Sequence, residues 1–226
     1  MKLILFDIDG TLIDPYGAGS RSASMAFEDL FAIKDAFASL RMAGKTDIQI
    51  MKEGLAAHGL SDGDGMITSI FEVYLDHLKR EVKVKRGNLK PGVVDLLDEL
   101  SSMDDCRLGL LTGNIQKGAR IKLDAFGLNP YFPSGAFGDD DEDRNKLMPF
   151  AVRRFEEIAG TDISYEDCIV IGDTPMDVMC SRPFGAKAIA VSTGPFSYES
   201  LMETDADYVI EDLTAALEIL KKEMCR

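Results

Sequence analysis

Four short apolar runs, each stopping at a polar loop that carries glycine, constrain this chain of 226 residues more than any other feature. Met1 to Phe6 halts at Asp7-Ile8-Asp9-Gly10, and Arg107 to Leu111 at Thr112-Gly113-Asn114. Cys168 to Ile171 halts at Gly172-Asp173-Thr174, and Ala188 to Val191 at Ser192-Thr193-Gly194. Brief apolar runs of this kind are the mark of strands buried on both faces, the habit of parallel sheets. Between the runs lie helical rhythms: Val93, Leu96, Leu97 and Leu100 after Pro91, which suits a first helical position; Leu147, Phe150, Ala151, Phe155 and Ile158; and Leu213, Ala216, Leu217 and Leu220. The alternation predicts an α/β fold, a doubly wound, Rossmann-like parallel sheet with helices on both faces. Ligands of such sheets gather at the carboxyl ends of the strands, where the polar loops lie.

Residues 20–80 interrupt the alternation, with helical stripes and no strand. Ala23, Ala26, Phe27, Leu30 and Phe31 form one stripe, and Ile67, Ile70, Phe71, Tyr74, Leu75 and Leu78 another, with a shorter helix over Asp47 to Ala57. This predicts an all-helical subdomain inserted into the core, residues 16–88, leaving 1–15 and 89–226 as the α/β domain. Its hinges are expected at Pro15 to Gly19 and Arg86 to Lys90, where Gly, Pro and polar residues concentrate. His58 and His77, both in this insert and without a partner pattern, read as helix-surface residues.

Composition narrows the partners. The net charge of −14 repels phosphate backbones and anionic headgroups, so neither nucleic acid nor membrane is an expected partner. A small anion remains compatible where positive charge is local or carried by a metal. Cys106, Cys168, Cys180 and Cys225 are too widely spaced for a zinc knuckle and read as reduced thiols. Leu3 to Phe6 is too short for a signal-peptide core and no run of 18 apolar residues occurs, so a cytoplasmic location is expected. Oligomeric state is left open.

Two carboxylate pairs carry the chemistry. Asp7 and Asp9, at i and i+2 in a tight turn after a buried strand, repel each other, and such a pair persists where a cation neutralises it. Asp173 and Asp177, at i and i+4 around Pro175, can face one side, although an N-cap and a first-turn dipole partner would give the same spacing. Together the pairs supply the hard oxygen ligands that Mg²⁺ prefers. Thr112-Gly113-Asn114 offers a hydroxyl and backbone N–H groups at a strand end before a helix, an anion-binding arrangement that is also a common turn. Arg144 and Lys146 follow the acidic run Asp139 to Asp143, and serve either an anionic ligand or that run.

The segments FDIDGTLID at Phe6 to Asp14, LLTGN at Leu110 to Asn114, a basic residue ahead of MPFAV, and IVIGDTPMDV at Ile169 to Val178 resemble the four motifs of the haloacid dehalogenase superfamily, in its order and spacing. With the helical insert, the resemblance covers nearly the whole chain. It is greatest to phosphoglycolate-phosphatase-type enzymes, which carry a helical cap between the first and second motifs, and Gly44-Lys45-Thr46-Asp47 is similar to a loop of such caps. The resemblance implies Asp7 as nucleophile, Asp9 as general acid and then base, and Mg²⁺ held by Asp7, the Asp9 carbonyl and Asp173 with Asp177 in support. It implies Thr112, Gly113, Asn114 and a basic residue on the phosphoryl oxygens, and Lys45 and Asp47 toward substrate choice. The family usually has Lys-Pro at the third motif; here the segment reads Arg144-Asn145-Lys146-Leu147, and aligning Pro149 favours Arg144 over Lys146.

The expected substrate is a small phosphorylated metabolite, phosphoglycolate-like or a sugar phosphate. A phosphomutase, or a phosphonate hydrolase with Lys45 forming an imine, stays as the alternative on the same fold. A metal-free dehalogenase has no use for Asp9, Asp173 and Asp177, and a phospho-acceptor receiver domain lacks the insert.

Overall fold

The computed structural model describes residues 1–84 and 87–224. In chain order the elements are β1 (Lys2–Phe6), β2 (Ile13–Asp14), α1 (Ala18–Phe31), α2 (Asp47–Ala57), α3 (Met66–Val84), β3 (Asn88–Leu89), α4 (Val93–Ser101), β4 (Cys106–Leu111) and α5 (Gln116–Asp124). They continue with β5 (Ser134–Ala136), α6 (Met148–Ala159), β6 (Cys168–Gly172), α7 (Pro175–Ser181), β7 (Lys187–Val191), α8 (Tyr198–Met202), β8 (Tyr208–Ile210) and α9 (Ala216–Met224).

Six strands form one sheet in the order β5-β4-β1-β6-β7-β8, every pairing parallel. β1 is central because Leu3, Ile4, Leu5 and Phe6 are all apolar and can be covered from both sides. Ile4, Phe6, Leu108, Leu110, Ile169 and Ile171 pack against α4, α5 and α9 on one face. Leu3, Leu5, Leu111 and Val170 pack against α6 on the other. This is the three-layer α/β architecture expected. From β1 the order departs in opposite directions, to β4 on one side and β6 on the other, and the loops leaving those strand ends part to open a crevice above Asp7.

The strands β5 and β8 have no counterpart in the sequence reading. Each has three residues, and Ser134-Gly135-Ala136 carries no large apolar side chain; it pairs because Gly135 lets its backbone approach Leu110, where a Cβ would stand 2.5 Å from the Leu110 carbonyl oxygen. Pro91 lies outside α4, whose N-cap is Gly92 at φ 81°. Leu30, Phe150 and Ile158 sit on the expected helices but face outward, since each stripe is wider than the surface available to bury it.

The inserted helices have their own apolar cluster, with Phe27, Phe37, Met51, Leu55, Ile70, Tyr74 and Leu78 in it. Ile115, at the start of α5, joins that cluster and ties it to the sheet domain. The ends of the insert meet in the antiparallel pair of β2 and β3, where Gly87 leaves room for the Asp14 carbonyl. Of the expected hinge at Arg86 to Lys90, Arg86 falls outside the described residues. Cys106, Cys168 and Cys180 are free and buried, and burial pushes their thiols up to about 11, 12 and 12; Cys225 lies outside the described residues. Among the described residues, no helix is long and apolar enough to cross a membrane.

Candidate active site

The first loop is built so that two carboxylates share a side. Ile8 is fully buried in the core, which turns its neighbours Asp7 and Asp9 the other way. The Ile8 carbonyl accepts from the N–H groups of Thr11, Leu12 and Ile13, closing the turn, and Gly10 takes φ 89°. Asp7, 5% exposed, is fastened to the sheet by its N–H donating to the Ile171 carbonyl at 2.9 Å. Burial pushes its carboxyl up to about 6, against the pull of Arg144 and with Asp177 and Asp9 adding to the rise.

At the end of β6, Asp173 accepts from the Thr11 hydroxyl through Oδ1 at 3.0 Å. Burial and the neighbouring Asp7 and Asp177 carboxylates push it well above the usual range. Its Oδ2 is buried without a hydrogen-bond partner. Two glycines make the room: a Cβ on Gly10 would fall 2.3 Å from that oxygen, and one on Gly194, in the loop after β7, 1.7 Å from it. The Thr193 hydroxyl donates to the Gly10 carbonyl at 2.6 Å and holds the two loops together.

Asp177 turns out to be engaged at both oxygens. Oδ2 accepts from the Thr174 N–H and hydroxyl at 2.9 and 2.7 Å, completing the capping box of α7, while Oδ1 faces Arg144. The N-cap is therefore Thr174, not Asp173. One oxygen each of Asp7, Asp173 and Asp177 lies within 4.8 Å of the others.

Arg144 enters this cluster and Lys146 does not. A 3₁₀ turn over Arg144–Lys146, capped by Asp143, points Arg144 inward, where Nη2 lies 3.2 Å from Asp7 Oδ1 and also pairs with Asp177. Those carboxylates hold the guanidinium above its ordinary pKa, although burial acts to lower it. Lys146, expected as a phosphate-binding candidate, is 62% exposed and 3.7 Å from Asp141, so it balances the acidic run instead. The rest of that run is equally structural: Asp139 caps α5, Asp140 pairs with Arg154, and Glu142 meets Lys52. Removing a buried charge from beside its partners costs roughly 3–5 kcal/mol, whereas an exposed pair contributes ~0–1. Arg144→Ala in chelator should accordingly lower unfolding free energy by about that larger amount in urea melts, and Lys146→Ala should leave it nearly unchanged.

The Thr112-Gly113-Asn114 turn differs from the expected open anion site. Thr112 is fully buried, and its hydroxyl oxygen accepts from the Asn114 N–H and side-chain amide at 3.3 and 2.9 Å, while Thr112 also helps lower the Asp7 carboxyl. Asn114 spends its amide on Asp9 and Thr112, and the next N–H groups already donate, Ile115 to Asp47 and Gln116 to Asp139. Thr112 thus stands beside Asp7, whereas Asn114 and the N-terminus of α5 serve the protein itself. Gly113 is a packing residue as well: a Cβ there would lie 2.1 Å from the Lys45 carbonyl oxygen.

The loop Gly44 to Asp47 lies against these elements. Gly44, at φ 80°, presses on Met176 and Thr174, and the Asp47 N–H donates to the Gly113 carbonyl at 2.7 Å. Asp47 is half-buried and accepts from the Ile115 N–H; desolvation pushes its carboxyl up to about 6, against Lys122 and that hydrogen bond, which both act to lower it. Lys45 Nζ is 2.5 Å from Glu53. Between the loop, the inserted helices and the strand ends lies a cavity of about 500 Å³, with Asp7, Asp9 and Asp173 on one wall and Met42, Met51 and Tyr74 on another. His58 and His77 are elsewhere, bonded to the Ala36 carbonyl and Asp29.

Sequence reasoning missed Thr11, Thr193, Gly194 and Lys122. For Lys122 a signal existed: it shares a helix face with Gly118, Ala119 and Leu123, where an apolar residue is expected.

A family model for haloacid dehalogenase-like hydrolases matches residues 1–185. A phosphoglycolate phosphatase of Rhodospirillum rubrum is 26% identical over 221 residues, covering 95% of this chain and 88% of its own. One from Caulobacter vibrioides is 28% identical over 214 residues, covering 92% and 85%. The fold is similar to that of CbbY from Rhodobacter sphaeroides, solved in complex with phosphate, with a TM-score of 0.74, 16% identity and coverage of 95% and 96%.

Proposed function

As the chain belongs to the haloacid dehalogenase-like hydrolases, we propose that it is a Mg²⁺-dependent phosphatase that cleaves the phosphate monoester of a small metabolite through a phosphate carried on Asp7. The observation that carries this reading is the buried cluster of Asp7, Asp173 and Asp177 around a single guanidinium, that of Arg144, beneath a cavity sized for a small molecule. Three carboxylates and one guanidinium leave two formal negative charges, which a divalent cation offsets.

The residues fit such an ion. Asp173 Oδ2 is a buried oxygen without a partner, in a space kept clear by Gly10 and Gly194, and oxygen donors suit Mg²⁺. Asp7, Asp173 and the Asp9 backbone carbonyl would hold it, with Asp177 steadying Arg144 and α7 from behind. When bound, the ion supplies charge compensation that lets the carboxylate and the phosphate approach.

Asp7 attacks phosphorus in line, forming an O–P bond as the bond to the leaving oxygen breaks. Asp9 gives that oxygen its proton, then takes one from the water that attacks phosphorus and frees Asp7. Arg144 and Thr112 steady the transferring oxygens. The inserted helices act as a cap that excludes water, with Lys45 and Asp47 on its inner loop. The relatives named phosphoglycolate phosphatase support a small phosphorylated substrate. Lys45 Nζ lies 2.5 Å from the Glu53 carboxylate, a pairing that forming an imine would have to break, which disfavours a phosphonate hydrolase.

The test is hydrolysis across a panel of phosphorylated small metabolites. Activity should vanish with chelator and return with Mg²⁺, and full activity in excess chelator would refute the reading.

A further inference from the structure

Lys122 is a charged residue on the buried face of α5, 4% exposed, in a position that helical periodicity gives to an apolar side chain. Its ammonium donates to Asp9 Oδ2 at 2.5 Å and to Asn114 Oδ1 at 2.5 Å. Asn114 in turn donates from Nδ2 to the same Asp9 Oδ2 at 2.8 Å, so a triangle of side chains closes on one carboxylate oxygen. The other oxygen of Asp9, Oδ1, is buried and without a partner. The cap seals the triangle from above: a Cβ on Gly19 would come within 3.3 Å of the Lys122 nitrogen and 3.7 Å of the Tyr74 hydroxyl.

We infer that Lys122 is a positioning residue for Asp9, pinning one carboxylate oxygen together with Asn114 so that the other is left for proton transfer at the leaving oxygen. The torsion that orients a carboxyl group is broad and close to two-fold, so an unpinned Asp9 samples rotations in which neither oxygen meets the leaving group. Two donors on one oxygen remove that freedom. Burying a lysine is costly unless its charge is paired and hydrogen-bonded, and here both conditions are met by the residue it orients and by that residue's neighbour. The inference rests on the proposed role of Asp9, and the experiment separates the two.

Lys122→Met, Asp9→Asn and the double variant are compared on an alkyl phosphate and on p-nitrophenyl phosphate. An alkoxide needs a proton to leave and nitrophenolate hardly does. Loss of orientation should lower kcat for the alkyl phosphate by ~10–10²-fold with KM nearly unchanged. It should slow the nitrophenolate burst of the aryl phosphate, which reports the first step alone, much less. In the Asp9→Asn background Lys122→Met should add almost nothing, because it acts through a group no longer there. Equal slowing of the first step for both substrates, full additivity with Asp9→Asn, or a raised KM at unchanged kcat would overturn the inference, the last by making Lys122 a substrate contact. Should Lys122→Met not fold, Lys122→Leu, which also lacks a donor and suits the apolar helix face, carries the same cycle after a thermal melt. If Asp9→Asn slows the alkyl phosphate while the Lys122 variants do not, this inference alone fails. If Asp9→Asn is itself without effect, the assignment of Asp9 fails and takes the inference with it.

Discussion

Asp7→Asn is expected to abolish turnover, a loss of ~10⁴-fold or more, while the protein stays folded and the phosphate ester still binds. An amide does not attack phosphorus, and the neighbouring carboxylates have other contacts: Asp173 accepts from Thr11 at one oxygen, and Asp177 is engaged at both. Stability should change in the opposite direction. Burial raises the Asp7 carboxyl to about 6, so at pH 7.5 in chelator the folded protein holds a carboxylate it would prefer neutral, and an asparagine relieves that cost. Thermal melts should show the variant no less stable than its parent, and equilibrium dialysis with labelled substrate should show binding. Lost binding together with a collapsed melt would instead make Asp7 a structural residue.

Asp9→Asn should slow an alkyl phosphate by ~10²–10⁴-fold, the range for loss of a general acid or base. The substitution leaves the backbone carbonyl of residue 9 in place, so it separates proton transfer from the proposed metal contact. Both chemical steps lose their proton carrier, but not equally for every substrate. With an activated aryl phosphate the first step needs little protonation, whereas attack by water still lacks its base. Phosphorylated enzyme should therefore accumulate, seen as a burst of nitrophenolate followed by slow turnover. A burst-free loss of equal size for alkyl and aryl substrates would remove Asp9 from proton transfer.

The strand-end loops were legible because their causes are local. A buried strand, an apolar Ile8 between two aspartates and a glycine at positive φ lie within ten residues, and periodicity puts both carboxylates on one side without knowledge of the rest of the fold. Asp173 and Asp177 were legible for the same reason, with Pro175 opening α7 between them. Other features depend on distant partners. Arg144 and Lys146 have the same charge two residues apart, and only the 3₁₀ turn set by Asp143 sends one inward and the other out. The N–H groups at the start of α5 read as free because their acceptors, Asp47 and Asp139, arrive from the insert and the acidic run. β5 was invisible because three small residues carry no periodicity, and its place is fixed by the edge that β4 offers. Lys122 went unread because its partner Asp9 lies 113 residues away in sequence, although its apolar helix face marked it as anomalous.

The central claim is that the phosphoryl group passes through Asp7, and the most direct measurement is an acid quench of the Asp9→Asn variant during turnover of an aryl phosphate, followed by peptide mass spectrometry. Phosphate is expected on Asp7, labile to hydroxylamine as an acyl phosphate is. Phosphate on another residue, a histidine included, or no covalent phosphate at any time during a burst, would contradict it.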